Sequence, residues 1–351
     1  MSTGLTRVGV VGVGSLGFHH ARLLSNMAGA QLVGVYDTRA ERQAEVVAKL
    51  GVPPASSLAA LLDRVDALVI AVPTQAHEAV ALPAVQRGIH VLIEKPIAPS
   101  LGAADRILAV ARTAGALVQI GHVERFNAAL RACEPYLEEP MFVESHRLAP
   151  FGPRGTDVAV VLDLMIHDLD LVLSLMKGRV ETISAVGVPV LTSSPDIANA
   201  RLEFAGGGVA NLTASRVSLE RMRKIRFFQR SGYISLDLAA GKGEYLRLRP
   251  GVSVELLGEL AAGSGSAPGG AAATSGSGGV AVAAAGAGSL LDLVERVSFA
   301  GDGTEPLARE LSSFLGAVQG TSPVTVTGDD GRRALAVALE IVDRIGRHVA
   351  H

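Results

Sequence analysis

The chain has 351 residues, of which 48% are hydrophobic, with 32 basic and 34 acidic residues. This length is sufficient for two domains that each bury a core, and the balanced charge disfavours nucleic acid or a membrane surface as a partner. Cys133 is the single cysteine, so the sequence excludes an internal disulfide and a thiolate metal cage. We therefore predict a cytoplasmic protein that binds a small molecule.

The N-terminal third of the chain alternates short β-branched runs with helical patterns. Such alternation is typical of a doubly wound parallel sheet, the Rossmann architecture. The predicted strands cover residues 7–13, 31–36, 67–72, 90–93 and 117–120, and the predicted helices cover residues 16–26, 40–50, 76–87 and 101–114. Gly51, Gly88 and Gly115 stand where left-handed helix ends are expected.

After His122 the pattern changes and predicts a second domain. A helix at 124–137, a strand at 142–148 and a long apolar helix at 158–176 come first, and alternating runs follow at 180–190, 198–204, 209–217, 225–228 and 233–238. No helix among these runs is long enough to connect parallel neighbours. The sequence therefore predicts an α/β protein, with a Rossmann domain at residues 1–123 and an α+β domain at 124–351 that carries a largely antiparallel, open-faced sheet.

The apolar segment at 158–176 has nearly the length of a membrane span. It contains Asp163, Asp168 and Asp170. Central aspartates cost about 2.5–3.5 kcal/mol each on membrane-insertion scales, so this pattern favours a helix buried inside protein. We predict no membrane partner.

The last part of the chain combines a low-complexity stretch with two helical patterns. Residues of about 258–289 are almost all Gly, Ala and Ser, which predicts a flexible insertion because such a composition cannot repay the entropy of ordering. A strand-like run at 324–326 separates the predicted helices at 306–319 and 329–348.

A GxGxxG motif, formed by Gly12, Gly14 and Gly17, lies where the first strand meets the first helix. The first glycine permits a tight turn, the second lets backbone N–H groups approach a pyrophosphate, and the third allows close packing of the helix. The helix dipole favours the same anion. This loop, with Ser15 and Leu16, therefore predicts a dinucleotide site.

Asp37 ends the second predicted strand, 20 residues after Gly17. A carboxylate at this position can accept hydrogen bonds from the adenosine ribose and repels a 2′-phosphate, so NAD is favoured over NADP. Arg39 weakens this preference because its guanidinium can reach a phosphate, although a solvated residue at a helix start is an equally good interpretation.

Two segments carry groups for hydride chemistry. Removal of a hydride from a secondary alcohol requires a base for the hydroxyl proton at the carboxyl end of the sheet. Glu94-Lys95-Pro96 ends one predicted strand there, and the proline constrains Lys95 to an extended backbone. Asp163 and His167 are four residues apart on one helical face, where a carboxylate can orient an imidazole base.

At these residues the sequence resembles the family of glucose-fructose oxidoreductase, inositol dehydrogenase and MocA-like oxidoreductases. The resemblance covers most of the chain outside the insertion and rests on residues 12–17, Pro73-Thr74 with His77, Glu94-Lys95-Pro96, and Asp163 with His167. It implies that Lys95, Asp163 and His167 form the catalytic group and that Pro73 and Thr74 line the cofactor. It also implies a cis Lys95–Pro96 peptide and a homodimer or homotetramer built through the open sheet face.

His77 is a further candidate for positioning the nicotinamide, but hydrogen bonding at a helix start is the simpler account.

Residues 121–127 and 157–168 are similar to a narrower branch, the UDP-N-acetylglucosamine 3-dehydrogenases. This resemblance implies oxidation of the sugar C3 hydroxyl, a step in lipopolysaccharide or lipid A sugar biosynthesis. The branch usually continues Asn-Pro where this chain has Asn127-Ala128. For a nucleotide sugar, the polar groups expected near the domain junction are Arg125, Asn127, Arg147 and Arg154, each of which is equally well explained as a structural partner.

Other polar residues are given no role at this stage. The side chains of His19 and His20 are adjacent on a helix and diverge, so packing explains these residues better than metal binding, and no His, Asp and Glu cluster has convincing metal-ligand spacing.

Two alternatives to the nucleotide-sugar dehydrogenase stay open. One is a dehydrogenase of a free cyclic polyol or sugar, and the other is a non-catalytic redox sensor that binds NAD.

Overall fold

The computed structural model describes residues 4–152, 158–249, 251–252 and 293–349. The predicted insertion at about 258–289 and the predicted substrate residue Arg154 lie outside the described residues. Across the described ranges, no helix is both long and apolar enough to cross a bilayer.

A parallel sheet of five strands forms the N-terminal half of the described chain, in the order β2-β1-β3-β4-β5. Its strands are β1 (Thr6–Val11), β2 (Ala30–Tyr36), β3 (Ala67–Ile70), β4 (His90–Glu94) and β5 (Val118–Gly121). The chain moves from β1 to β2 on one side and returns to β3 on the other. This reversal creates the crevice at the carboxyl ends of the strands where ligands of such sheets bind.

Helices cover both faces of this sheet. They are α1 (Ser15–Leu24), α2 (Ala40–Leu50), α3 (Leu58–Leu62), α4 (His77–Gln86) and α5 (Leu101–Ala114). Gly51, Gly88 and Gly115 have φ of 66°, 73° and 68°, which confirms the predicted left-handed positions after α2, α4 and α5. Helix α3 was not predicted, because five residues are too few to show a helical period.

A second sheet follows, with eight strands among the described residues, in the order β13-β12-β11-β10-β6-β9-β8-β7. Its strands are β6 (Phe142–Leu148), β7 (Val180–Val188), β8 (Ile197–Phe204), β9 (Val209–Ser215), β10 (Met222–Gln229), β11 (Gly232–Asp237), β12 (Lys242–Leu248) and β13 (Val294–Ala300). All neighbours are antiparallel except β6 and β9. The predicted fold class is confirmed.

Strands β12 and β13 were absent from the prediction. The β12 sequence, KGEYLRL, mixes a glycine and three charged residues with only three hydrophobic ones. Its pairing with β11 and β13, rather than its own pattern, makes it a strand. The strand-like run at 324–326 is not a strand in the structure, although the Ile120 amide donates to the Val326 carbonyl at 3.0 Å.

The single helix expected at 124–137 is wrong. A 3₁₀ turn at Val123–Phe126, the helix α6 (Ala128–Cys133) and a 3₁₀ turn at Glu134–Tyr136 occupy this stretch. Asn127 separates the first two because its backbone is extended, with φ −62° and ψ 132°, and its side chain accepts the Ala129 amide proton at 3.0 Å. Asparagine is a preferred N-cap residue, so the interruption has a local cause.

Two C-terminal helices connect the halves of the molecule. They are α8 (Pro306–Val318) and α9 (Gly328–Val349). Leu311, Phe314 and Leu315 of α8 pack in the same core cluster as β1 side chains of the first sheet. On α9, Leu335 packs in a core of the first sheet and Ile341 in the core of the second. The boundary predicted at residue 123 stays a prediction, and the chain after it contributes to both cores.

Candidate active site

The glycine loop between β1 and α1 is shaped by close backbone contacts. Gly12 has φ 81°, and a Cβ atom built on Gly17 would lie 1.8 Å from the Gly12 carbonyl oxygen. No side chain fits at Gly17 for this reason. At Gly14 a Cβ would meet only Arg39 Nη2, at 3.9 Å. The second glycine therefore leaves open space above the loop, as a pyrophosphate requires.

Helix α1 begins directly after this loop with Gly14 at its N-cap position. A glycine has no side chain to cap the first N–H groups, and a helix N-terminus attracts anions. The open cradle and the helix start without a side-chain cap both fit the pyrophosphate of a dinucleotide. The residues that would hold it are Gly12, Gly14, Ser15, Leu16 and Gly17.

Asp37, at the end of β2, forms a hydrogen bond with the glycine loop. Its Oδ2 accepts the Val13 amide proton at 2.9 Å and its Oδ1 accepts the Arg39 amide proton at 2.9 Å. The Arg39 side chain is 67% exposed, with Nε 3.4 Å from Asp37 Oδ1. The sequence reasoning missed Arg42, whose Nε donates to the Val13 carbonyl at 2.8 Å and stabilises the loop from α2.

His77 connects two loops at the edge of the crevice. Its Nδ1 lies 2.9 Å from the Pro96 carbonyl oxygen and its Nε2 lies 3.0 Å from that of Val72. The ring is buried, and burial is the main cause that lowers the pKa of His77. Its contacts hold the turn that contains Pro73 and Thr74 against the segment after β4. They favour a hydrogen-bonding role for His77 at the helix start over a role in positioning the nicotinamide.

The Lys95–Pro96 peptide is cis, as the family resemblance implied. The Lys95 ammonium reaches a π-helical turn, Val161–Met165, that runs directly into α7 (Ile166–Leu175). Its Nζ donates to the Asp163 backbone carbonyl at 2.7 Å and lies 3.9 Å from the Asp163 Oδ1 atom. Short π-helical turns recur at functional sites, and this one interrupts the single regular helix that the sequence predicted at 158–176.

His167 projects from the first turn of α7 into the same space. Its Nδ1 is buried without a hydrogen-bond partner among the described residues. The expected orientation of this ring by Asp163 is therefore not seen as a hydrogen bond in the described chain, since the Asp163 carboxylate faces Lys95 instead. The ring of His122 meets that of His167 edge-on, with centroids 6.5 Å apart, so an aromatic contact positions the imidazole.

Burial and neighbouring charges shift the pKa values of Lys95 and His167 in this cluster. Burial lowers the pKa of Lys95, against the opposing charges of Asp163 and Glu94. Burial, followed by the positive charge of Lys95, holds the pKa of His167 well below its usual range. The imidazole is consequently neutral near neutral pH and suits the removal of a proton from an alcohol, while the charges of Asp163 and Glu94 favour the ammonium form of Lys95.

A cavity of about 720 Å³ contains these groups. Lys95 and His167 line it together with Leu16 of the glycine-loop helix and Gly121 at the end of β5. The structure thus brings two of the three predicted catalytic side chains beside the start of the glycine-loop helix, while Asp163 is not part of the lining. The volume lies within the range of small-molecule sites.

Several predicted substrate residues are already bound to carboxylates. Arg125 makes two bonds to Asp170, at 2.6 and 3.0 Å, and does not line the cavity. Arg147 lines the cavity but is bound to Asp168 at 2.7 Å and to Glu124 at 2.9 Å.

Asn127 also lines the cavity, and its amide donates at 2.9 Å both to Glu124 and to the Leu238 carbonyl. The substrate roles of Arg125, Asn127 and Arg147 stay predictions. Two arginines that the sequence reasoning missed, Arg221 and Arg223, also line the cavity. No motif marked them.

A buried polar cluster lies behind Glu94. His20 Nε2 is 2.7 Å from Glu94 Oε1, and candidate ligand atoms of His20, Glu94 and Glu310 lie within 4.8 Å of one another. Among the described residues, the spacing of these three side chains suits a cation. The sequence does not reveal this group, because its members are far apart along the chain. Both Glu310 carboxylate oxygens are buried without a described partner. Burial, and then the charge of Glu94, raises the pKa of Glu310 well above its usual range.

This shift predicts a pH-dependent stability effect. The unfolded chain loses the Glu310 proton near pH 4.3, while the native state retains it, so native stability falls as the pH rises above that value. Gln has the same size and no charge, and we expect Glu310→Gln to raise Tm by a few degrees near pH 8 and by less near pH 4. Thermal unfolding at both pH values tests this, with exposed Glu340→Gln as the control. An equal effect at both pH values contradicts it.

Comparisons with known proteins agree with this geometry. Residues 6–122 match a family profile described as the GFO/IDH/MocA oxidoreductase family, NAD-binding Rossmann fold, and residues 119–235 match the GFO/IDH/MocA C-terminal domain. The UDP-N-acetylglucosamine 3-dehydrogenase of Acidithiobacillus ferrooxidans is 38% identical over 340 residues, which cover 95% of this chain and 96% of the relative. An inositol 2-dehydrogenase of Saccharopolyspora erythraea is 33% identical over 52% of this chain and 58% of the relative.

Solved structures show the same architecture. That of UDP-N-acetylglucosamine 3-dehydrogenase from Acidithiobacillus ferrooxidans superposes with a TM-score of 0.81, at 35% identity, over 98% of both chains. The WlbA dehydrogenase from Bordetella pertussis, in complex with NADH and UDP-GlcNAcA, superposes with a TM-score of 0.75 over 99% of this chain and 97% of that chain. Its identity of 19% supports the shared fold alone.

Proposed function

Because the chain belongs to the GFO/IDH/MocA family of NAD-binding oxidoreductases, we propose that it oxidises the C3 hydroxyl of UDP-N-acetylglucosamine to the 3-keto sugar with NAD. The observation that carries this proposal is the cavity of about 720 Å³ in which Lys95 and His167 face the glycine-loop helix. The relative that matches over 95% of this chain supports the nucleotide-sugar substrate.

The proposed mechanism assigns one task to each side chain. When bound, NAD accepts the hydride from the carbinol carbon. Lys95, held by the Asp163 carbonyl at 2.7 Å, donates a hydrogen bond to the substrate oxygen and stabilises its developing negative charge. His167 takes the hydroxyl proton through the nitrogen that faces the cavity, because its lowered pKa leaves the imidazole neutral. Asp163 keeps the Lys95 side chain in place.

The runner-up substrate is a free cyclic polyol such as inositol. The inositol dehydrogenase relative supports this alternative, although it matches only 52% of this chain. A polyol would need the same Lys95 and His167 but no group for a nucleotide.

A substrate screen separates the two. We expect the purified protein to reduce NAD with UDP-N-acetylglucosamine and to show little turnover with UDP-glucose, myo-inositol or glucose. Reduction should be monitored by absorbance, with NADP in place of NAD as a matched cofactor control. Turnover of the free polyols alone would discard the nucleotide-sugar proposal.

The proposal extends to the location and the assembly of the protein. We propose a cytoplasmic location, which the single cysteine favours, and a homodimer or homotetramer assembled through the open face of the second sheet. Exposed Val186, Val188 and Phe228 on strands of this sheet support such an interface. A step in lipopolysaccharide or lipid A sugar biosynthesis is the context that the proposed product implies.

A further inference from the structure

We propose that Arg221 and Arg223 form the subsite for the diphosphate of a nucleotide sugar, in place of the arginines that the sequence suggested. This inference rests on the proposed function and deepens it, since it names the part of the protein that would distinguish a nucleotide sugar from a free sugar. It stands on the pairing of charges around the cavity.

The charged groups that line the cavity are mostly neutralised within the protein. Glu94 is bound to His20, Glu305 to Arg22, and Glu124 to Arg147. Lys95 is held by Asp163. These pairs leave Arg221 and Arg223 as the lining cations whose guanidinium groups make no hydrogen bond to a carboxylate within the described chain.

Arg221 immediately precedes β10, and its side chain is exposed at the cavity. It has no hydrogen-bond or ion-pair partner among the residues that the structure describes. Arg223 lies two positions later on β10, so both side chains point to the same face of the extended chain. Arg223 is 45% exposed, and its nearest carboxylate oxygen, Glu124 Oε1, is 3.7 Å away, beyond hydrogen-bond distance.

The register of the sheet places a second positive charge beside Arg223. Arg223 on β10 stands directly opposite Arg147 on β6. Like charges at directly opposed positions destabilise a sheet. Asp168 and Glu124 both bind Arg147, and Glu124 Oε1, the carboxylate oxygen nearest Arg223, already accepts from Arg147 at 2.9 Å. A bound anion would give Arg223 a hydrogen-bond partner of its own.

The chemistry of the ligand follows from these side chains. Each guanidinium presents a planar fork of donors that matches two oxygens of a phosphate. Two such forks, two positions apart on one extended segment and lining the same cavity as Lys95 and His167, suit two linked phosphates joined to a sugar. A cyclic polyol has no anionic group to pair with either arginine.

The test measures binding and turnover separately. We expect Arg221→Ala and Arg223→Ala each to raise the Kd for UDP, measured by titration calorimetry, and the KM for UDP-N-acetylglucosamine by about 10- to 100-fold. We expect kcat to change by less than about threefold, because the contact is equally strong in the ground state and the transition state. Arg223→Lys should recover part of the affinity, since it keeps the charge and loses the fork.

Arg87→Ala is the matched control, because Arg87 is 44% exposed, forms an ion pair with Asp63 and lies outside the cavity lining. If UDP-N-acetylglucosamine is a substrate but both variants match this control, the inference is overturned and the proposed function stands. If the wild type binds UDP through these arginines but turns over a different nucleotide sugar, the inference stands and the assignment of UDP-N-acetylglucosamine as the substrate falls. If the wild type binds no UDP, the subsite is overturned whatever sugar is oxidised.

Discussion

Lys95→Met should lower kcat/KM for the sugar substrate by about 10³- to 10⁴-fold. The substitution keeps much of the length of the side chain and removes the ammonium that we assign to the substrate oxygen. It also removes the 2.7 Å bond to the Asp163 carbonyl. Steady-state rates of NAD reduction measure the loss, and we expect the Kd for NAD to change little because the glycine loop is untouched.

Lys177→Met is the control for this experiment. Lys177 is 76% exposed and pairs with Glu139, outside the cavity lining. We expect it to retain wild-type turnover. If Lys95→Met also retained full turnover while binding NAD, the catalytic assignment would be removed.

His167→Asn should lower kcat for oxidation by about 10²- to 10³-fold, since a positioned general base contributes about 10²–10⁴ in rate. The variant should also change the pH profile. The pKa of His167 is lowered by burial and by Lys95, so the wild-type rate should fall only when acid protonates this imidazole. With the ring gone, the group that we assign as the base is absent, and we expect this acid limb to disappear.

The pH profile distinguishes a base from a merely structural residue. A loss of packing around His122 would reduce the rate at every pH and leave the limb in place. An unchanged limb in His167→Asn would therefore contradict the assignment of the proton to this nitrogen. His146→Asn, on β6 and outside the cavity lining, is the control and should keep both the rate and the limb.

The stability effect at Glu310 and the proposed arginine subsite both depend on groups that the fold brings together from distant parts of the chain. The Gln119 amide, for example, donates to the Glu310 carbonyl across 191 positions. No local pattern in the sequence contains such a contact.

The features that the sequence determined by itself are those with short-range physical causes. A turn with positive φ requires Gly12, and the close approach of two backbones requires Gly17. Helix ends at Gly51 and Gly115 follow from the same preference. The alternation of β-branched runs with helical patterns was sufficient to predict the Rossmann sheet, and the motifs around Lys95 and His167 indicated the candidate site.

Only the tertiary structure decided which charges remain available there. The sequence contains many arginines, and nothing local distinguishes Arg147, bound to Asp168 and Glu124, from Arg223, which makes no such bond. Ion pairs form between side chains that the fold brings within a few ångströms, whatever their separation along the chain. The register of β10 against β6 therefore decided which arginines line the cavity without a hydrogen-bonded carboxylate, and that register depends on the packing of the whole sheet.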